Sequence, residues 1–371
     1  MAVDDRLYQL ALYLTPSVGD FNIRQLISYC GSAQKVFDMP EGKLLKIPGV
    51  GKKTAEIIRK KATLENAKAE LDKMDKEGIE LLFFTDSHYP TKLKHIPDGP
   101  AVLYFKGNTN ALQSSFNLAI VGSRNATEYG KSVTEELIKN IGGKNILIVS
   151  GLAYGIDIQA HRMSLKYGIP TLAVMGNGMD KIYPSAHRDI AKQMQEAGGI
   201  MTELPLGTIP DAHNFPARNR IVAGMADAVI VVEAAKKGGA LITAELANGY
   251  DREVFAVPGN LGNTYSEGCN HLISQNKARI FISINQCLAE MGWEDTDQSA
   301  PKNQNVNFNQ EDFSSEEWLV LSQLIDAKVP VILDELSWRT QVNVSRLAGI
   351  LLSLEFKGIV KALPGKRFGL S

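Results

Sequence analysis

Between Asn117 and Gly259 six short apolar runs recur: "LAIVG" (118–122), "ILIVSG" (146–151), "TLAVMG" (171–176), "GIMTE" (199–203), "AVIVVE" (228–233) and "VFAVPG" (254–259). Stretches with helical periodicity separate them. Runs this apolar have no polar face to offer water, so they predict strands buried on both sides, in a parallel sheet with a helical layer on each face. Four of the six reach a glycine within a residue or two of the strand end. In open sheets of this class ligands sit beyond the carboxyl ends of the strands, so function is expected in the loops that follow these runs.

At 371 residues the chain is too long for that sheet alone, and the pattern changes on either side of it. Upstream, "LTPSVGDFNIRQLI" (14–27) and "KIPGVGKKTAEII" (46–58) share Pro-x-Val-Gly before a helical pattern, with Pro16, Val18 and Gly19 matching Pro48, Val50 and Gly51. A repeat this short predicts two helix-turn-helix units packed as one helical domain over residues 1–65, helix-hairpin-helix-like or SAM-like. The hairpin of the second copy can offer backbone N–H groups to a phosphate, with Lys52 and Lys53 beside it; the repeat can equally be a compact cap. Asp20 makes the first copy the poorer anion site. A charged helix near 65–77, a strand in "IELLFF" and an alternating strand in "AVLYFKG" lead into the sheet, which gives a central Rossmann-like domain over 66–293. Residues 294–313 are nearly devoid of apolar side chains and read as a linker. Over 314–371, three helical patterns and a hairpin turning at Pro364-Gly365 predict a winged-helix-like domain, a form that serves nucleic acid or protein partners alike.

Charge does not choose a partner. Lys+Arg (40) and Asp+Glu (41) nearly cancel, and a neutral total can hide a basic face. Cys30, Cys269 and Cys287 lie far apart with no CxxC, so neither a disulfide framework nor a metal site is expected. Two aspartates occupy the first residues, where a secretory signal needs positive charge, and no apolar run approaches membrane length; a cytoplasmic protein is expected.

The loops carry the candidate site. After the first run, Gly122 permits a tight turn, Ser123 and the backbone amides face the strand ends, and Arg124 can reach an anion unless it pairs with Asp157 or Glu233. The segment has neither dinucleotide nor P-loop spacing, because Gly130-Lys131-Ser132 falls inside a helix. After the second run, Gly151 and Gly155 leave backbone bare at a helix start, Asp157 sits in the first turn as a cap or arginine partner, and His161 reads as structural. Ile156, Ala160, Met163 and Tyr167 share the face expected to meet the sheet. After the fifth, Gly238 and Gly239 open a helix ahead of Thr243, with Lys236 and Lys237 as counter-charge, a plausible phosphate cradle. In "NFPARNRIVAG" (214–224), Arg218 and Arg220 flank Asn219 just past Pro216. If Pro216 opens a helix, both arginines lie in its first turn, where a cation is unfavourable unless an anion intervenes. Arg220 is the one expected to pair with Asp157, Glu203 or Glu233, while Phe215 is placed to stack on a base.

Taken in order, "GSR", "SGLAYGIDIQAH", "GNGMDKIYP", "FPARNRIVAG", "GGALITAELA", "REVFAVPG" and "GCNHLI" resemble the bacterial DNA-processing protein A family over about residues 80–290. The resemblance implies the same three-part layout and single-stranded DNA binding without catalysis or cofactor. It also implies protection of incoming strands in natural transformation, help in loading the RecA recombinase, and a homodimer formed through the central domain. Its DNA pocket falls on Ser123-Arg124 and the Phe215–Arg220 segment, with the glycine loops beside them. Two departures stand out: Gly238 where serine is usual, and "SQNKARIF" after "LI", which leaves the turn near Asn276 open. The rival reading is a nucleotide phosphoribohydrolase on a related fold, whose Gly-Gly…Thr-x-x-Glu loop is similar to Gly238-Gly239…Thr243-Ala244-Glu245; it needs a general acid or base that these loops do not clearly supply. A duplex-DNA regulator acting through the last domain is less well equipped, since "NVSRLAGILLSLEFKG" offers only Arg346 and Lys357.

Overall fold

The computed structural model describes residues 3–293, 308, 310, 313–327, 330–363 and 365–370. All six apolar runs form strands of one nine-stranded sheet. Its strands are β1 (Glu80–Phe83), β2 (Val102–Gly107), β3 (Phe116–Val121), β4 (Ile146–Ser150), β5 (Thr171–Val174), β6 (Gly199–Thr202), β7 (Ala228–Val231), β8 (Glu253–Ala256) and β9 (Arg279–Ile280), in the order β1-β2-β6-β5-β4-β3-β7-β8-β9. From β6 to β9 across the sheet every pairing is parallel, with apolar residues opposed, Ala119 to Val149 and Ile120 to Ile230. The chain winds outward from β3 through β4 and β5 to β6, then returns to place β7 on the other side of β3, so the strand order reverses at β3.

Three more strands join these six, two of them the strands expected in "IELLFF" and "AVLYFKG". β1 and β2 add antiparallel to the β6 edge, and β9 closes the other edge with two exposed residues, too few to carry a period. β2 does not alternate as expected, because both its faces are covered. Val102 and Tyr104 pack with Leu10 and Met74 of the N-terminal helices, while Leu103 and Phe105 pack with Leu93 and Ile221. Helices Glu128–Lys139, Ile156–Lys166 and Ile284–Glu290 bury one face of the sheet, with Ile156 and Ala160 inside and Met163 and Tyr167 at the margin. Helices Asn214–Met225, Gly239–Gly249 and Glu267–Ser274 bury the other. Asn276 follows the last of these at φ 53°, taking the left-handed turn that a glycine would otherwise supply.

The N-terminal repeat has the same backbone twice. Gly19 and Gly51 are helix N-caps at φ −86°, ψ 174° and φ −84°, ψ 166°, and Ser17 and Gly49 two residues earlier are both left-handed. The first copy docks on the central domain, where Asp20 Oδ1 accepts from the Ala101 N–H at 2.7 Å. At the other end of the chain, helices Ser315–Ala327, Leu333–Thr340 and Val344–Phe356 surround a core that includes Leu321, Leu336, Leu347 and Leu354. β10 (Val331–Ile332), β11 (Val360–Leu363) and β12 (Arg367–Leu370) complete it in the order β10-β12-β11, a winged-helix arrangement. The expected linker 294–313, apart from residues 308, 310 and 313, lies outside the described residues, as does Pro364 of the expected turn. No helix among the described residues is long and apolar enough to cross a membrane. Cys30, Cys269 and Cys287 are free and buried, and burial pushes the Cys269 and Cys287 thiols up to about 12.

Candidate nucleic-acid interface

Beyond the carboxyl ends of β3, β4 and β5 lies a cleft lined by Arg124, the Leu152–Tyr154 loop, Met175-Gly176, Tyr183-Pro184, Phe215 and Arg218. It encloses about 40 Å³, room for a few waters, so it can seat a phosphate or a base edge but not engulf a nucleotide. Arg124 is exposed at the mouth, its guanidinium 5.5 Å from the centre of the Phe215 ring. Neither Asp157 nor Glu233 takes it as a partner. Glu233 instead accepts from the Thr127 N–H at 2.9 Å and from its hydroxyl, fixing the start of helix Glu128–Lys139. The ring of Phe215 is half buried and lies 5.8 Å from Tyr183, so an apolar, cation-topped wall faces solvent.

Arg218 differs from its expected role. The helix begins at Asn214, so Pro216 is its third residue and the two arginines fall in the second turn, not the first. Arg218 also points inward: it is only 7% exposed and donates to the Val174 carbonyl at the end of β5. Its charge is opposed by buried Asp157; burial lowers the Arg218 pKa and raises that of Asp157, and each group's charge offsets part of the other's shift. Gly151 lies where a Cβ would strike both the Arg218 guanidinium and the Asp157 carboxylate. His161, fully buried with Nδ1 2.7 Å from the Thr171 hydroxyl, is held neutral by burial, its pKa pushed down to about 3. Arg218 is thus the floor of the cleft.

The other expected residues separate into two groups. Arg220 is outside the cleft lining and pairs with Glu203 at 2.5 Å and Asp20 at 3.4 Å, the ion pair expected of it with Glu203, extended to the N-terminal domain. Glu203 is itself raised to about 7 by burial, against the pull of Arg220. Gly151 and Gly155 do not present bare backbone to a ligand. Gly155, at φ 78°, is where a Cβ would collide with the Ser123 carbonyl, and the Ile156 N–H donates to that carbonyl at 3.1 Å. Ser123 Oγ accepts from Asn125 N–H at 3.0 Å, shaping the turn that projects Arg124. Asn219 donates to the Gly239 carbonyl at 3.4 Å and so links the Phe215 helix to the next loop. There Gly238 caps helix Gly239–Gly249, Lys237 is exposed, and a Cβ on Gly239 would meet open space. Thr243 is a correction: it shares the buried face with Ala240, Ala244 and Ala247 and is 2% exposed, out of reach of a ligand. Glu245 does not face the sheet; it is exposed and paired with Lys277 at 2.6 Å.

Two aromatics of the cleft, Tyr154 and Tyr183, were not singled out from sequence. Both are about half exposed, 52% and 48%. Each stood in view as the aromatic of a glycine-bearing or proline-bearing loop, in "LAYG" and "KIYP", where a core role has no periodicity to support it.

The chain is similar to known proteins along most of its length. A family model described as DNA recombination-mediator protein A matches residues 80–292, and one described as the DprA winged helix domain matches 309–366. Protein Smf of Synechocystis is 36% identical over 295 residues, spanning 79% of this chain and 74% of its own. Among solved structures, DNA processing protein A of Streptococcus pneumoniae superposes with a TM-score of 0.63 at 32% identity, covering 78% of this chain and 98% of that one. The Helicobacter pylori protein, described for its single-stranded DNA binding mode, gives 0.52 at 29% identity, covering 57% and 94%. With the sheet domain matched from end to end and the winged helix matched behind it, the chain belongs to the DNA recombination-mediator protein A family.

Proposed function

We propose that this chain binds single-stranded DNA at the cleft beyond β3–β5 and acts, without catalysis, in the processing of DNA during transformation. One observation carries the reading: an exposed arginine, Arg124, is stacked over Phe215 and has no carboxylate within ion-pairing distance among the described residues. An uncompensated cation beside an aromatic face suits a strand that offers both a phosphate and an unpaired base. The description of the H. pylori relative supports it. Lys237 and the Gly238-Gly239 helix start extend the anion-favouring rim toward β7, with Ser123 and Asn219 as the residues that hold the two loops. Protection of the strand, RecA loading and a homodimer through the central domain belong to the same reading. They are checked by nuclease challenge, by recombinase filament assays and by light scattering.

The phosphoribohydrolase alternative has less to stand on. The cleft lining holds no carboxylate and no histidine, and Glu245, the acid of the similar loop, is tied to Lys277 away from the cleft. Titrating labelled oligothymidylate and a duplex of equal length against the full chain decides between readings. Tighter binding of the single strand is expected. Duplex preference, or release of free base from nucleoside monophosphates, would overturn it.

A further inference from the structure

A second, larger groove opens from the side of the cleft. It encloses about 640 Å³ and shares Tyr154, Tyr183 and Pro184 with the cleft. Lys181, Arg188 and Lys192 line it, all exposed and none within ion-pairing distance of a carboxylate among the described residues. Its lining also holds two acids, each with a partner other than these three: Asp180 accepts from the Gly207 N–H at 2.7 Å, and Glu77 lies 4.0 Å from Lys106, which lines the groove as well. Arg188 and Lys192 stand four apart on the helix Arg188–Met194, a like-charged pair unfavourable to the helix unless an anion lies between them. At the junction, Tyr154 packs edge-on against His187 at 4.9 Å, and His187 Nδ1 is 2.7 Å from the Leu152 carbonyl, so the ring dividing the two spaces is braced from behind.

Resting on the function proposed above, we infer that the groove is the continuation of the DNA track. Nucleotides beyond the one seated at Arg124 and Phe215 pass between Tyr154 and Tyr183 and lay their phosphates along Lys181, Arg188 and Lys192. The ligand class is a flexible polyanion with unpaired bases, because a phosphate-only ligand would leave the two half-exposed tyrosines unused.

The test is a length series of oligothymidylates, from about 4 to about 20 nucleotides, titrated against the full chain and against Arg188→Ala/Lys192→Ala, with melting temperatures to confirm folding. For the longest strand the double variant is expected to bind about ten-fold more weakly, with the log–log salt slope reduced by about 1.4 for two lost phosphate contacts. The shortest strand, confined to the cleft, is expected to bind both proteins equally. Equal affinity of the two proteins for the longest strand overturns the groove while leaving the cleft intact. If the shortest strand ignores the wild-type chain, or if Arg124→Ala leaves binding of every length unchanged, the cleft reading has failed instead.

Discussion

The cleft beyond β3–β5 and the outer helix of the winged-helix unit, Val344–Phe356 with Lys357 at its end, each present basic residues, yet they treat the exposed ones in opposite ways. In the cleft, Arg124 stands over Phe215 with no acid within ion-pairing distance among the described residues, and the lining contains no carboxylate. On the winged helix, Arg346 pairs with Glu316 at 2.6 Å and Lys357 with Glu317 at 2.8 Å, while the apolar side chains of Val344, Leu352 and Phe356 are exposed. A cation already neutralised by its own chain must give up that partner before it can take a phosphate; one held beside an aromatic ring gives up nothing. Availability, not number, separates the two regions, and it points to the winged helix as a surface for contacts other than phosphate.

The largest effect comes from the cleft floor. Arg218→Ala leaves Asp157 buried without its compensating charge, a change that costs about 3–5 kcal/mol in comparable buried pairs. Urea unfolding is expected to show that loss, and a cycle with Asp157→Ala to show that the two changes are far from additive. A loss below about 1 kcal/mol would mean that Arg218 does not support the cleft, and the contrast between a built site and a chance gap would weaken.

Next in size are the two residues at the mouth. Phe215→Ala is expected to weaken oligothymidylate binding by about 1–3 kcal/mol with the salt slope unchanged, since stacking displaces no counterions. Arg124→Ala is expected to weaken it several-fold and reduce the slope by about 0.7. Filter binding across a salt series checks both. Equal slopes for the two variants would break the assignment of one to a base and the other to a phosphate.

How much of this was legible depended on whether a residue's neighbours are local in sequence. The strands were, because each run carries its own burial signal. So was the repeated hairpin at Gly19 and Gly51, whose geometry is local. The inward placement of Arg218 was not: its partners, the Val174 carbonyl and Asp157, come from distant strands and loops, and the helix start two residues before Pro216 has no side-chain cap to mark it. Gly151 and Gly155 looked like bare backbone for a ligand because nothing near them in sequence reveals that Arg218 and Ser123 fill that space from other loops. Thr243 was misplaced for a plainer reason. It belongs to helix Gly239–Gly249, whose buried face is made of the small residues Ala240, Thr243, Ala244 and Ala247 while the large apolar Ile242 is exposed, so side-chain size and hydropathy do not mark which face packs on the sheet.

A smaller effect sharpens the winged-helix side of the contrast. Hydrogen bonds from Lys357, the Ser314 N–H and Ser353 hold the Glu317 carboxyl down to about 2, below its ordinary 4.5. Because the folded value is the depressed one, the stability this group contributes is fully present above about pH 4.5 and is lost as pH falls toward 2. Glu317→Gln should therefore flatten the acid side of the stability profile of the C-terminal unit. An unchanged profile would mean that Lys357 is not engaged and could serve a phosphate after all.

The smallest effect is the most direct check on the comparison. Arg346 is 63% exposed at its side chain and its partner Glu316 47%, and a pair this exposed contributes about 0–1 kcal/mol. Arg346→Ala should leave stability within that range and leave affinity for oligothymidylate, together with its salt slope, at the wild-type value. Glu316→Ala is the informative companion, since it frees the guanidinium without removing it. If the freed arginine then raises the affinity and steepens the slope by about 0.7, pairing alone had kept this helix from the strand; if nothing changes, the helix lies off the DNA track altogether.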